Sequence, residues 1–282
     1  MRKKLWILAS LLIAVGIIGL AFNKFDFDDN GLVHFEKSWS VTSDQLNELI
    51  IDGNSSDVKI EFSESSSDLA DVIISGKTEP LVVERIEGTE MTAQTLQLDL
   101  RRSKQFKLIQ FNFTEPEIVV QVSLPKSSAL DKLQVNTASG NTKVYDANVD
   151  ELSIETRSGD IALGDVQATE ASVISHSGYV KLENIASKLT TTTSSGDIKI
   201  RNLSGELAAE SKSGYISVVQ KEANSASVAT SSGDVKFTAA KDFAGSYDVS
   251  TKTGDIKMPE QIGTSQELIA IHTGSGSITI KQ

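Results

Sequence analysis

The sequence contains no cysteine, which excludes disulfide staples, thiolate metal centres, a cysteine nucleophile and lipid attachment to an N-terminal cysteine. It is also short of proline, with four, and of aromatic residues, at 6%. Ser, Thr, Val, Ile and Gly fill the space, and β-branched residues suit a pleated, half-buried surface, so strands and turns are expected. There is no basic excess. A formal charge of −11 argues against a nucleic-acid partner, because neutralising phosphates requires clustered Lys and Arg. With 282 residues the chain is long enough for one elongated domain or two compact ones.

The first 22 residues, MRKKLWILASLLIAVGIIGLAF, set Arg2, Lys3 and Lys4 before an uncharged apolar run from Leu5 to Phe22. Eighteen residues at about 1.5 Å each make roughly 27 Å of helix, close to the about 30 Å of a bilayer core. That length favours an uncleaved anchor over a signal peptide, although Gly19 and Ala21 have the spacing of a signal-peptidase site. On either route the positive-inside rule leaves the N-terminus in the cytoplasm and everything after about residue 23 outside the cell. Without Arg2, Lys3 and Lys4 the exported part has a formal charge of −14.

Residues 23–45 mix acids with aromatics without a sustained period and are expected to be a linker or stalk. From residue 46 to 125, alternating apolar stretches such as LNELIIDGNSSDVKIEF, DVIISGKTEPLVV and EPEIVVQVSLP predict strands in irregular coils or a cap. From residue 126 to 282 a ladder begins. Gly140, Gly159, Gly178, Gly196, Gly214, Gly233, Gly254 and Gly276 recur at intervals of 18 to 22 residues. Two places after each stands Thr142, Ile161, Val180, Ile198, Ile216, Val235, Ile256 or Ile278. Another apolar residue follows two places on, as inward strand positions do. Such a unit cannot bury its own apolar face, so each coil is expected to stack on the next at about 4.8 Å. The fold class is therefore all-β: a right-handed parallel β-solenoid (β-helix) of about 19-residue coils, each with two strands meeting at the glycine, behind an N-terminal transmembrane helix.

The recurring Ser-Gly-Asp is expected to turn a corner. Hydroxyls precede each glycine by one place (Ser139, Ser158, Ser177, Ser195, Ser213, Ser232, Thr253, Ser275) and by three (Thr137, Thr156, Ser175, Thr193, Ser211, Thr230, Thr251, Thr273). Both sets are expected to point inward as stacked columns, each hydroxyl bonding to the next. Asp follows the glycine on only half the coils, too few oxygens per coil for a calcium-binding repeat.

Candidate chemistry is sparse. His34, His176 and His272 share no motif, and no phosphate loop, dinucleotide fingerprint or HExxH is present. Ser-His-Asp catalysis is not excluded by spacing, yet no serine stands out from its column. The segment RRSKQFK gathers Arg101, Arg102, Lys104 and Lys107, a candidate contact for anionic wall polymer or lipid headgroups. No catalytic, cofactor-binding or metal-ligating residue is assigned, and no cofactor is expected.

The stretch IVVQVSLPKSSALDKLQVNTASGNTKV, preceded by LIIDGNSSDVKIEF and followed by SGD coils, resembles the bacterial "putative adhesin" β-solenoid family. With its N-terminal hydrophobic anchor the chain looks like the LiaG type, associated with envelope-stress operons. The resemblance covers about residues 46–282 and implies a fold and a location; it carries over no catalytic residues. Together these features point to a non-enzymatic, membrane-anchored extracellular scaffold or interaction module in the cell envelope. Its expected partners are the membrane, through the N-terminal helix, and an envelope protein or anionic wall polymer; the oligomeric state is open. The alternative is a polysaccharide-active β-helix enzyme, a lyase or hydrolase, which would need clustered carboxylates or a basic residue interrupting the regular column.

Overall fold

The computed structural model describes residues 32–102, 117–126, 128–260 and 263–282. The strands are β1 (Val33–Thr42), β2 (Glu48–Asn54), β3 (Asp57–Glu64) and β4 (Leu69–Thr78), then, after helix α1 (Pro80–Glu87), β5 (Thr95–Asp99) and β6 (Glu117–Leu124). There follow β7 (Leu130–Thr137), β8 (Thr142–Tyr145), β9 (Asn148–Thr156), β10 (Ile161–Ser175), β11 (Val180–Ser195), β12 (Ile198–Ser204) and β13 (Leu207–Ser213). The chain ends in β14 (Ile216–Gln220), β15 (Ala226–Ser232), β16 (Val235–Thr238), β17 (Ser246–Thr253), β18 (Ile256–Lys257), β19 (Leu268–Ser275) and β20 (Ile278–Lys281).

The architecture is all-β and solenoid-like. Strands before each glycine form one parallel wall, here wall A: β5, β2, β7, β9, the end of β10, the end of β11, β13, β15, β19 and β17. Strands after it form wall B: β6, β3, β8, the starts of β10 and β11, β12, β14, β16, β20 and β18. The expected stacking is seen directly, since Ile161 pairs with Val180, Val180 with Ile198 and Ile198 with Ile216. Inward side chains of both walls meet in one continuous core, with Ile161, Val180, Ile198, Ile216, Val235 and Ile278 all buried. Each such side chain contributes about 1.5–3 kcal/mol.

Two features depart from the expected coil. A third short side links the walls, where Val166 pairs with Ile185 and Ile185 with Leu203. It is entered through a second corner at Asp146, Asp165, Asn184 and Asn202, whose φ values of 55–58° suit Asx residues, which tolerate the left-handed region. Asn184 Nδ2 donates to Asp165 Oδ1 at 2.9 Å and Asn202 Nδ2 to Asn184 Oδ1 at 2.8 Å, joining successive coils. The second departure is the order of rungs. At the N-terminal end β2–β3 stacks between β5–β6 and β7–β8, and at the C-terminal end β19–β20 stacks between β15–β16 and β17–β18. Chain order and spatial order therefore differ at both ends.

Residues 46–125 supply two of these rungs and a cap. β4 runs antiparallel to β6, and β1 antiparallel to β4. The stretch expected as linker over 23–45 thus contributes β1, whose Phe35 and Trp39 are buried. The alternation read through EPLVV gives way to α1, because Pro80 at the first helical turn fixes a helical φ and has no N–H to leave unbonded. Val82 and Ile86 bury the inner face of α1. Lys37 closes its C-terminal end, with Nζ donating to the carbonyls of Ile86 at 3.0 Å, Glu87 at 2.7 Å and Thr89 at 2.8 Å while lying over the Trp39 ring. The apolar run over residues 1–22 lies outside the described residues, and no described helix is long and apolar enough to cross a membrane.

Candidate interaction surface

The eight repeat glycines line one edge in contact with one another. A Cβ on Gly159 would strike the carbonyl oxygen of Gly140, and the same holds for Gly178 on Gly159, Gly196 on Gly178, Gly214 on Gly196 and Gly233 on Gly214. Close backbone approach, more than a special φ, is what requires glycine here. The residues three places before the glycine do point inward: Thr137, Thr156, Ser175, Thr193, Ser211, Thr230 and Thr273 are buried, and the terminal Thr251 is half-buried. Thr137, Thr156, Ser175, Thr251 and Thr273 bond to glycine backbone and not to one another, while the buried hydroxyls of Thr193, Ser211 and Thr230 have no hydrogen-bond partner among the described residues. Gly159 N–H donates to Thr156 Oγ1 at 3.0 Å, Gly178 N–H to Ser175 Oγ at 2.8 Å, and Thr273 Oγ1 to Gly233 O at 3.1 Å.

The serines immediately before the glycines correct the second expectation. Ser139, Ser158, Ser177, Ser195, Ser213, Ser232, Thr253 and Ser275 are all exposed. Inward–outward alternation breaks at the corner, where two successive residues, such as Arg157 and Ser158, loop outward before the chain re-enters at the glycine. The acidic corner residues tie rungs together. Asp57 Oδ1 accepts Asn141 N–H at 2.7 Å, Asp160 Oδ1 accepts Tyr179 N–H at 2.7 Å, Asp197 Oδ1 accepts Tyr215 N–H at 2.8 Å and Asp234 Oδ1 accepts Ser277 N–H at 2.7 Å. Each Asp thus bonds the backbone of the next rung, which gives these carboxylates a structural role.

The outer faces of the walls differ in chemistry. Wall A presents mainly small polar groups, as in the register Ser153, Ser172, Thr190 followed by Ala208 and Ser227. Wall B presents a lysine column three places after the glycine. In spatial order it runs Lys59, Lys143, Ala162, Lys181, Lys199, Ser217, Lys236, Thr279, Lys257. Like charges one rung apart, as at Lys59/Lys143 and Lys181/Lys199, oppose folding. Part of that repulsion is offset: Lys59 pairs with Glu61 at 2.6 Å, Lys143 with Glu117 at 2.7 Å, and Glu183 with both Lys181 at 2.6 Å and Arg201 at 3.2 Å. The hydrogen bond that the Lys181 ammonium donates to Glu183 holds it above its ordinary pKa, and the same bond lowers that of Glu183. Among the described residues Lys199 and Lys236 have no carboxylate in ion-pair contact.

Those two lysines line a shallow trough of about 420 Å³ with Arg201, Tyr179, Tyr215 and one carboxylate, Asp197. Tyr179 is partly sunk into the wall, and burial, reinforced by Asp197, raises its phenol pKa, so it stays a neutral donor at physiological pH. Tyr215 is exposed. The trough therefore offers three cationic side chains against one carboxylate, that of Asp197, whose Oδ1 already accepts the Tyr215 N–H, and the cationic excess beside phenol faces suits an extended anion. Its sequence signal is the residue three after each glycine, visible in SGDIKI, SGDVKF and TGDIKM, one outward position past the corner.

The basic segment read from sequence fares differently. Arg101 is engaged bidentately by Asp99, with Nε to Oδ1 and Nη2 to Oδ2 both at 2.8 Å. Arg102 is half-buried, and Lys104 and Lys107 lie outside the described residues. The histidines remain apart: His34 is on β1, His176 Nδ1 sits 3.4 Å from Thr156 O, and His272 is on β19. The structure does bring Ser250, His272 and Asp248 together, with Ser250 Oγ 2.8 Å from His272 Nδ1. His272 Nε2 to Asp248 Oδ2 is 3.9 Å, beyond hydrogen-bond reach. The trio lies on the outer surface of wall A, where exposed His and Asp side chains lack the dry, oriented setting of a catalytic relay.

The Toastrack DUF4097 family model matches residues 46–281. Among solved structures, a putative adhesin from Bacteroides fragilis is 14% identical, with 87% of this chain and 97% of that one covered and a TM-score of 0.47. A putative cell adhesion protein from Clostridium sporogenes is 14% identical, covering 88% and 99%, with a TM-score of 0.33. A putative lipid binding protein from Parabacteroides distasonis is 13% identical, covering 88% and 97%, with a TM-score of 0.28. No curated protein matches this chain.

Proposed function

The chain belongs to the Toastrack DUF4097 family, and from that premise we propose that it is a non-enzymatic interaction module of the bacterial cell envelope. In this reading it is a right-handed parallel solenoid, held at the membrane by residues 1–22, with the rod outside the cell and a role in the envelope-stress response. Its wall B trough binds an anionic wall polymer. One observation carries the ligand class: Lys199 and Lys236, two rungs apart on wall B and without a carboxylate in ion-pair contact among the described residues, face the same trough as Arg201, Tyr179 and Tyr215.

The test is binding of the full-length protein, in detergent, to a polyphosphodiester, a polyuronate and a neutral glycan across a salt series. Binding to the polyanions is expected, weakening as salt screens the lysines, and largely lost in the Lys199→Glu, Lys236→Glu double variant. Salt-insensitive binding, or binding unchanged in that variant, refutes the ligand. Release of cleaved products, abolished by a single Asp or Arg substitution, would instead establish the polysaccharide-active enzyme. Anchoring is tested separately: the chain should stay with membranes at alkaline pH and be cut by protease added to intact cells. The stress link requires its transcript to rise when wall synthesis is inhibited.

A further inference from the structure

The two ends of the rod are unlike. At the β6 end, β4, β1 and α1 cover the stack. At the other, β17 and β18 form the last rung, and among the described residues each has a strand partner on one edge only. Inward positions there lack cover: Ile256 is 41% and Met258 42% exposed, against 0% for Ile198 and Ile200 at the same repeat positions. Tyr247 and Val249 are likewise only half-buried. An open strand edge over uncovered apolar side chains calls for a partner strand.

The sequence of β17, SYDVSTKT, indicates which. Asp248 and Lys252 lie two residues to either side of Ser250, and all three are exposed on the outer face. Ser246 N–H donates to Glu267 O, so alternation along the strand directs the backbone groups of Tyr247, Val249 and Thr251 to the free edge. We infer that two copies of the chain join tip to tip through β17, antiparallel about a two-fold axis at Ser250. In that register Val249 and Thr251 of each copy exchange hydrogen bonds with Thr251 and Val249 of the other. Asp248 faces Lys252 twice, once on each side of the axis. Sliding the pairing by two residues keeps the hydrogen bonds and loses both ion pairs, so the charges select one register. The contact is self-complementary, as a two-fold interface must be.

The chain has no cysteine, so one introduced cysteine reports the axis. Ser250 would sit opposite its own copy at a non-hydrogen-bonded pair, about 4.5 Å between Cα atoms, within the range a disulfide spans. With the full chain in detergent, Ser250→Cys should oxidise to a covalent dimer. Ser227→Cys, equally exposed on the inner strand β15, should not. By sedimentation the parent should have twice the protomer mass. Lys252→Asp should be a monomer, and the Asp248→Lys, Lys252→Asp exchange should dimerise again. Circular dichroism checks that each variant is folded. A monomeric parent, as an unrelated partner or another segment on this edge would give, overturns the inference. So does equal crosslinking at positions 250 and 227, or a dimer indifferent to the charge reversal.

Discussion

Gly254 stacks on Gly276 and not on Gly233, its predecessor in the repeat. A Cβ on Gly254 would strike the Gly276 carbonyl oxygen, and one on Gly276 would strike that of Gly233. The N–H of Gly276 donates to Thr253 O and that of Gly233 to Ser275 O, both at 2.8 Å. The last coil in sequence is thus a wedge between two earlier ones.

This order makes the C-terminal fifteen residues a structural link. Ending the chain at Glu267 removes β19 and β20, the strands that hold β17 and β18. Amide exchange at Asp248, Ser250 and Lys252, whose N–H groups face β19, should then lose protection, although those residues remain in the chain, while β13 and β14 stay protected. Simple sequential stacking would leave β17 resting on β15 and its protection unchanged.

The glycine edge gives a second expectation. Gly196→Ala sets a Cβ against the backbone carbonyl of Gly178, which cannot swing aside as a side chain can. A loss of about 1–3 kcal/mol is expected. Gly88→Ala, at the end of α1 with φ −79° and its nearest neighbour 3.4 Å away, should be neutral or slightly stabilising. Urea midpoints for the two variants test the contrast.

Period was legible in the sequence because the physics that sets it is local: inward apolar positions at Ile161, Val180, Ile198 and Ile216 repeat with the glycine. Stacking order was not legible, because Ile256 and Ile278 present the same pattern and nothing in it says which lies next to Val235. The outward turn of Ser158 and its equivalents was missed because alternation was carried through a corner that breaks it. Helix α1 was misread since Leu-Val-Val after a proline suits either state until Lys37 and Trp39 of β1, distant in sequence, close over its end. The lysine column was present in the letters, but only stacking shows that Lys199 and Lys236 share a trough with Tyr179 and Tyr215.

Identical repeat positions should differ in cost according to depth in the rod. Ile198 is fully buried in the middle of wall B, whereas Ile256 is 41% exposed on the last rung. Ile198→Ala should destabilise by about 2–5 kcal/mol. Ile256→Ala should cost under about 1 kcal/mol in the isolated protomer, since little buried surface is lost. Comparable losses for both, measured at dilution, would contradict the placement of β18 at the end.

Acid sensitivity follows from Asp99, where the chain leaves β5. The bidentate contact with Arg101 is the main influence on its carboxyl; burial opposes it, and Arg85, 2.8 Å away, adds to it. Together they hold the pKa far below the ordinary value of 3.8. A carboxyl whose folded pKa is depressed contributes stability that is fully present above its unfolded pKa and is lost as pH falls toward the folded one. The Asp99→Asn variant should therefore melt below the parent at pH 7. Their difference should narrow as pH drops from about 5 to about 2.5, because the parent gives up the contribution that the variant never had. High salt should narrow it too, as Arg101 is 63% exposed and open to screening. A gap constant across that pH range would mean that Asp99 acts through its shape and hydrogen bonds alone, without its charge.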